Sequence, residues 1–128
     1  MNAESLSRRW YLCGITYLVI GISLGVYMGA KGDHSQFPAH AHINLLGWAS
    51  MCLTGLLYRT FPAAARSALA MWHFWLYQIA VPVLLLGVFA FYMGHTNVEP
   101  IIGAASVVTL ISVLLFWWAI FSARNSNA

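Results

Sequence analysis

The chain has 128 residues, of which 61% are hydrophobic and only 7% are charged, and its formal net charge is +3. Ordinary soluble domains carry roughly 25% charged residues, so this composition excludes them and indicates an integral membrane protein. The few basic residues form no stripe along the sequence, which argues against a nucleic-acid partner.

Long intervals without Asp, Glu, Lys or Arg divide the chain, and they cover residues 10–30, 34–58, 67–98 and 100–123. Each interval is long enough for the helix of about 20 residues that crosses a bilayer. We therefore predict an all-α fold, a bundle of four transmembrane helices in a single domain over residues 1–128. The predicted helices cover approximately residues 10–30, 38–58, 69–93 and 100–122.

The positions of the basic residues predict an orientation. If the four helices alternate in direction, only Lys31 falls on one side, and the other side holds Arg8, Arg9, Arg59, Arg66 and Arg124. Because basic residues are enriched on the cytoplasmic side, both termini are predicted to be cytoplasmic. We expect the bacterial inner membrane, with the loops at 31–38 and 94–99 facing the periplasm.

The first predicted helix carries glycines close to one face, at positions Gly14, Gly21, Gly25 and Gly29. Small residues at a spacing of four allow two helix backbones to approach closely in a membrane. This face predicts tight packing, either inside the protomer or between protomers.

The second predicted helix opens with Phe37-Pro-Ala-His-Ala-His-Ile-Asn44 and continues as an apolar segment. Polar side chains are costly inside a membrane and are commonly functional there. Four of the five histidines fall at the predicted outer side, namely His34, His40, His42 and His95. Neutral imidazole is a common ligand of heme iron, copper and zinc, so these residues indicate a cofactor or metal site.

Helix geometry favours His42 as the principal ligand. Residues two apart on an α-helix point about 200° away from each other. His40 and His42 therefore cannot ligate one metal from a regular helix, unless the first turn is frayed or different protomers take part. The face of His42 continues through apolar residues that suit a porphyrin edge, namely Leu45, Leu46, Ala49 and Leu53.

The other polar residues of this region have simpler interpretations. His34 and His95 can be solvated loop residues, and His40 can lie at the membrane interface. Asn44 is predicted to face a neighbouring helix. Trp48 is a candidate cofactor neighbour because it lies within the span, two turns from His40.

The remaining aromatic and acidic residues suggest supporting roles. His73 is expected at the cytoplasmic interface, bonded to water or a carbonyl, and Trp10 is expected to anchor the helix at the interface. Asp33 and Glu99 are candidates to accept a hydrogen bond from a ligating histidine. No nucleophile elbow, paired intramembrane carboxylates or phosphate loop occurs in the sequence, which argues against a hydrolase or a proton pump.

Three short segments carry a family resemblance: His42-Ile-Asn-Leu-Leu-Gly-Trp48, Gly55-Leu-Leu-Tyr-Arg-Thr-Phe-Pro62 and His73-Phe-Trp-Leu76. Together they resemble the second and third helices of the catalytic subunit of heme-copper oxidases and nitric oxide reductases. The resemblance covers roughly residues 38–90. It implies that His42 is an axial ligand of a heme. The copper-site ligands of that family come from later helices, which have no counterpart in this sequence.

The resemblance also implies an assembly. The family's twelve-helix subunit is arranged as three arcs of four helices around a pseudo-threefold axis. A chain of four helices that resembles one arc is therefore expected to form a homotrimer. The second axial ligand would come from His95, His40 or another protomer.

We expect a small heme-binding membrane protein, with heme b as the cofactor, that transfers electrons or binds a diatomic gas such as NO or O₂. A redox protein partner is possible, and any enzymatic activity would be that of an oxidoreductase. A first alternative is a metal-handling or sensing module in which His34, His40, His42 and His95 bind copper or zinc. A second is a structural assembly subunit without a cofactor.

Overall fold

A computed structural model describes residues 2–125, except for the side chains at positions 124 and 125, so the side chain of Arg124 lies outside it. The described residues form helices and turns without a β-strand, which confirms the all-α prediction. The helices are α1 Ala3–Lys31, α2 Phe37–His42, a π-helical segment Ile43–Ala49, α3 Ser50–Thr60, α4 Pro62–Ala65, α5 Ala68–Tyr92, a short 3₁₀ helix Thr96–Val98, and α6 Glu99–Asn125.

Three helical stretches are long and apolar enough to cross a membrane: α1, α5 and residues 96–123, which include most of α6. These are compatible with an integral membrane protein. The predicted span at 38–58 corresponds to α2, the π segment and α3, which run through residues 37–60 without leaving helical conformation. Because the π segment divides this stretch, it contains no single long α-helix.

Helix α1 begins earlier than the predicted start at residue 10. The side chain of Asn2 accepts a hydrogen bond from the Ser5 N–H at 2.7 Å, and this cap pairs one of the free N–H groups of the first turn. The helix ends at Gly32, whose φ of 65° is a left-handed conformation that glycine adopts without strain.

The long helices form two hairpins. Helix α1 packs along the π segment and α3, and α5 packs along α6. The hairpins are joined by Trp10 of α1, whose ring contacts the rings of His73, Phe74 and Tyr77 on α5. The interface role predicted for Trp10 is wrong, because its side chain is 0% exposed. Because α1 begins at Ala3, Trp10 is not at the end of the helix, and its side chain packs against α5.

The glycine face of α1 packs inside the protomer. A Cβ atom added at Gly21 would lie 2.6 Å from Oδ1 of Asn44, and one added at Gly25 would lie 3.0 Å from Cε1 of His40. Gly29 has no such neighbour within 4 Å. The missing side chains of Gly21 and Gly25 thus make room for the two polar residues at the start of the facing helix.

The π segment directly follows His42. The Ser50 N–H donates to the carbonyl of Leu45, five residues back, and the Tyr77 hydroxyl donates to the carbonyl of Leu46 at 3.0 Å. π-Helical turns inside α-helices are rare and occur frequently at functional sites. The hydroxyl on α5 therefore pairs a backbone carbonyl of the irregular segment and fixes it against the second hairpin.

The close contact at Gly47 yields a stability prediction. A Cβ at this position would lie 2.5 Å from Cγ and 2.7 Å from Cβ of Tyr17, and the backbone fixes the position of the Tyr17 Cβ atom. Gly47→Ala should therefore lower the free energy of unfolding by about 1–3 kcal/mol, as overpacking does in protein interiors. Thermal unfolding of the purified protein in a mild detergent measures this.

The matched control is Gly103→Ala on α6, where an added Cβ would have no neighbour within 4 Å. This substitution should stabilise the helix by about 0.5–1 kcal/mol, because alanine has the higher helix propensity. Equal effects of the two substitutions would contradict the close packing of α1 on the π segment.

Candidate functional site

His42 has a fixed tautomer. Its Nδ1 atom lies 2.7 Å from the carbonyl oxygen of Pro38, one turn earlier in the same helix. A carbonyl can only accept, so Nδ1 carries the proton and donates, and Nε2 of the neutral ring keeps its lone pair. The ring is exposed on the surface of this single chain. His42 thus presents one free ligating nitrogen, and the orientation of its ring is set by the backbone.

A cavity of about 230 Å³ lies beside His42, between the start of α2 and the hairpin of α5 and α6. Its walls are largely apolar, and its polar groups are the His42 imidazole, the Glu99 carboxylate and the Tyr92 hydroxyl. The lining residues are Pro38, His42, Val88, Phe91, Tyr92, Glu99 and Ile102. Glu99, one of the two acidic residues considered above, therefore lines the same cavity as His42.

The apolar wall beside His42 comes from α5 and α6, and not from its own helix as the sequence suggested. Leu45 is 63% exposed, and Leu53 is exposed as well. The reason is the π segment, whose hydrogen bonds reach back five residues and change the rotation of every later side chain relative to His42. Trp48 is 40% exposed and does not line this cavity.

His40 points to the other side, towards α1. Its Nδ1 atom lies 2.9 Å from the carbonyl oxygen of Gly21 and donates to it, so the lone pair of the neutral ring is on Nε2. The Asn44 amide donates to the His40 carbonyl at 3.0 Å and lies 3.4 Å from both ring nitrogens. His40 is therefore partly buried between its own helix and α1. Asn44 faces a neighbouring helix, as predicted.

His34 and His95 are exposed loop residues, and neither lines the cavity of His42. Across residues 2–125, no group of three or more His, Cys, Asp or Glu side chains lies close enough to hold a metal ion. The Asp33 carboxylate accepts a hydrogen bond from the Ser35 N–H at 2.9 Å, which holds its pKa below the usual value. Asp33 is thus paired within its own loop.

Gln36 joins the start of α2 to α5. Its amide Nε2 donates to the carbonyl of Phe89 at 3.2 Å, and its backbone carbonyl accepts from the His40 N–H at 2.9 Å. The Oε1 atom of Gln36 is buried and has no partner in the described part of the chain. These bonds hold the first turn of the helix that carries both histidines.

The interface role predicted for His73 is wrong. The residue is 1% exposed, and its Nδ1 atom is hydrogen-bonded to the Tyr58 hydroxyl at 2.9 Å. Its ring stacks between those of Trp10 and Phe116, with centroid distances of 4.7 and 4.9 Å. No local pattern in the sequence indicates this pairing, because it depends on how the two hairpins meet. The surroundings of His73, a hydroxyl and stacked aromatic rings, fit a packing role.

Comparisons of the chain with protein-family models, with curated proteins and with solved structures find no match. The resemblance to heme-copper oxidases accordingly rests on the three sequence segments quoted above.

The pair of Tyr58 and His73 yields a second stability prediction. Tyr58→Phe removes the hydroxyl and leaves Nδ1 of a buried imidazole without a partner, which costs about 1–3 kcal/mol. Tyr27→Phe is the control, because Tyr27 is 60% exposed and should tolerate the same chemical change. Thermal unfolding of both variants measures the difference, and unchanged stability of Tyr58→Phe would contradict the buried hydrogen bond.

Proposed function

We propose that this chain is a heme-binding integral membrane protein whose cofactor is held by His42 and serves electron transfer or the binding of NO or O₂. In this proposal the stretch 37–60 is a fourth span, and both termini are cytoplasmic. The site then lies at the outer side of a bacterial inner membrane. The uncharged length of 34–58 and the basic residues near the opposite helix ends support this orientation.

The observation that carries the proposal is the hydrogen bond between His42 and Pro38. Histidines that ligate metals commonly donate their second ring nitrogen to a carbonyl or carboxylate, which fixes the tautomer and makes the ligating nitrogen more basic. His42 has this arrangement, with Nδ1 on the Pro38 carbonyl at 2.7 Å and Nε2 available as a ligand. The free nitrogen belongs to a residue that lines an apolar cavity.

The residues around His42 fit one side of a heme. Val88, Phe91 and Ile102 offer apolar surface to the porphyrin ring and would exclude water from it. The volume of about 230 Å³ is below the roughly 300–1,000 Å³ of pockets that enclose small ligands. A single chain would therefore enclose only one edge of the ring. Heme b, when bound, supplies an iron that exchanges one electron or binds a diatomic gas.

A second copy of the chain would complete the site. The described residues bring no second imidazole to the cavity, because His40 is packed against α1 and His95 is not among the lining residues. A homotrimer would supply the missing surface, and it would reproduce the number of helices in the twelve-helix subunit that the sequence resembles. Copper or zinc bound by the same histidines would likewise need ligands from more than one chain.

Heme titration tests the proposed site. The purified protein, as isolated or after addition of hemin, should show a Soret band, and His42→Ala should remove it because the axial nitrogen is lost. His34→Ala is the matched control, since it removes an exposed imidazole from the neighbouring loop and should keep the band. Spectra of the reduced protein with and without carbon monoxide show whether the second axial position of the heme iron is open or occupied by a protein ligand.

Other results of these experiments would favour one of the two alternative functions. Copper or zinc found by metal analysis of a colourless protein would favour the metal-handling module. If the protein binds neither hemin nor metal, and His42→Ala changes only its stability, the structural assembly subunit is the remaining alternative.

Mass measurement tests the assembly. In lipid or a mild detergent we expect the mass of three chains of 14.2 kDa, with heme increasing the proportion of trimer because it bridges two copies. A monomer at high protein concentration, with heme present, would contradict the trimer.

A further inference from the structure

A basic cavity lies at the opposite end of the helices from His42, where the start of α1 meets the end of α3. It has a volume of about 190 Å³, and the residues that line it are Glu4, Ser7, Arg8, Tyr11 and Arg59. All five side chains carry a polar group, and two of them are permanently cationic. The proposed heme site gives the polar groups of these residues no role.

Ser7 lacks a hydrogen-bond partner at this cavity. The residue is 2% exposed, and its Oγ atom is buried without a partner in the part of the chain that the structure describes. Its position is fixed by close packing, because a Cβ added at Gly55 on α3 would lie 3.1 Å from the Ser7 carbonyl oxygen. A buried hydroxyl that pairs with nothing is costly, so a ligand acceptor at this place would recover a hydrogen bond.

The two arginines at the cavity are exposed residues, and their guanidinium groups are available to a ligand. Within the described residues, no carboxylate forms an ion pair with Arg8 or Arg59, although Glu4 lines the same space. Guanidinium is a planar group whose parallel N–H donors match the oxygens of a phosphate. Two guanidiniums with the hydroxyls of Ser7 and Tyr11 make a set of donors suited to one phosphodiester anion.

We infer that this cavity binds the headgroup of phosphatidylglycerol, with Arg8, Arg59 and Ser7 donating to its phosphodiester and the Glu4 carboxylate accepting from its glycerol hydroxyls. The inference rests on the membrane insertion proposed above and is independent of heme binding. A lipid is the expected source of the phosphate, because basic pockets at the ends of membrane helices lie at the level of the headgroups.

The surface next to the cavity suits the acyl chains of the same lipid. Leu12 and Ile15 follow Arg8 at the spacing of one helix face, and Leu56 precedes Arg59 by one turn. All three side chains are more than half exposed. The polar cavity thus continues directly into exposed apolar surface on both helices that form it.

Lipid-dependent stability of the full-length protein tests this inference. After delipidation in detergent, phosphatidylglycerol should raise the unfolding temperature, and phosphatidylcholine and phosphatidylserine should do so less, because they lack the glycerol hydroxyls. Arg59→Gln should weaken the affinity for phosphatidylglycerol about tenfold through the loss of charge-assisted hydrogen bonds. Arg66→Gln removes an equal charge from an exposed position that does not line the cavity, and it should change the affinity less than twofold.

Ser7→Ala provides a second test, in which the substitution itself should change the unfolding temperature. Without lipid it should raise the unfolding temperature, because an unpaired buried hydroxyl is removed, and it should reduce the further rise on adding phosphatidylglycerol. Equal effects of Arg59→Gln and Arg66→Gln, equal stabilisation by phosphatidylserine, or equal stabilisation by inorganic phosphate without lipid would each overturn the inference. The heme spectrum is measured separately, so failure here is distinguishable from failure of the proposed function.

Discussion

The close approach of α1 to the helical stretch 37–60 is the constraint on which the rest of the structure depends. It is possible because glycine occupies the contact on both sides, with Gly21 and Gly25 on α1 and Gly47 on the π segment. Two helices can approach this closely in a membrane only where side chains are absent. The contact buries His40 and Asn44 against α1, and this in turn fixes the rotation that directs His42 to the opposite side, towards α5 and α6.

The π segment separates the N-terminal part of this helix, which carries His40 and His42, from its C-terminal part. Before it, the backbone is regular, so His42 can donate to the carbonyl one turn earlier. Through it, the hydrogen-bond pattern changes, and the Tyr77 hydroxyl of α5 pairs the carbonyl of Leu46. This bond pairs a carbonyl of the irregular segment and couples the helix of His42 to the second hairpin. A change in the packing of α5 would therefore shift the helix that carries His42.

The two candidate sites lie at opposite ends of the helices, and aromatic packing joins the two hairpins near the end that carries Arg8 and Arg59. Trp10, His73 and Phe116 stack there, and the Tyr58 hydroxyl pairs the one imidazole among them. The end with His42 presents an imidazole nitrogen beside apolar walls, which suits a metal in a porphyrin. The end with the two arginines presents cationic donors and a buried hydroxyl, which suit a phosphate. The two proposed ligands differ because the donor and acceptor groups at the two ends differ.

The sequence by itself determined that the chain is helical and apolar, roughly where its long helices lie, that His40 and His42 face different ways, and that the α1 glycines allow close packing. These properties follow from composition, from the absence of charge and from the fixed angle between residues on a helix. Only the tertiary structure decided which helix each face contacts. Trp10 and His73 are buried in it, although the local sequence pattern predicted an interface position for both. The apolar residues beside His42 come from α5 and α6, and not from Leu45 and Leu53. The physical reason is that a π turn and the meeting of two hairpins depend on side chains distant in sequence, such as Tyr77 on Leu46, and helical periodicity contains no information about them.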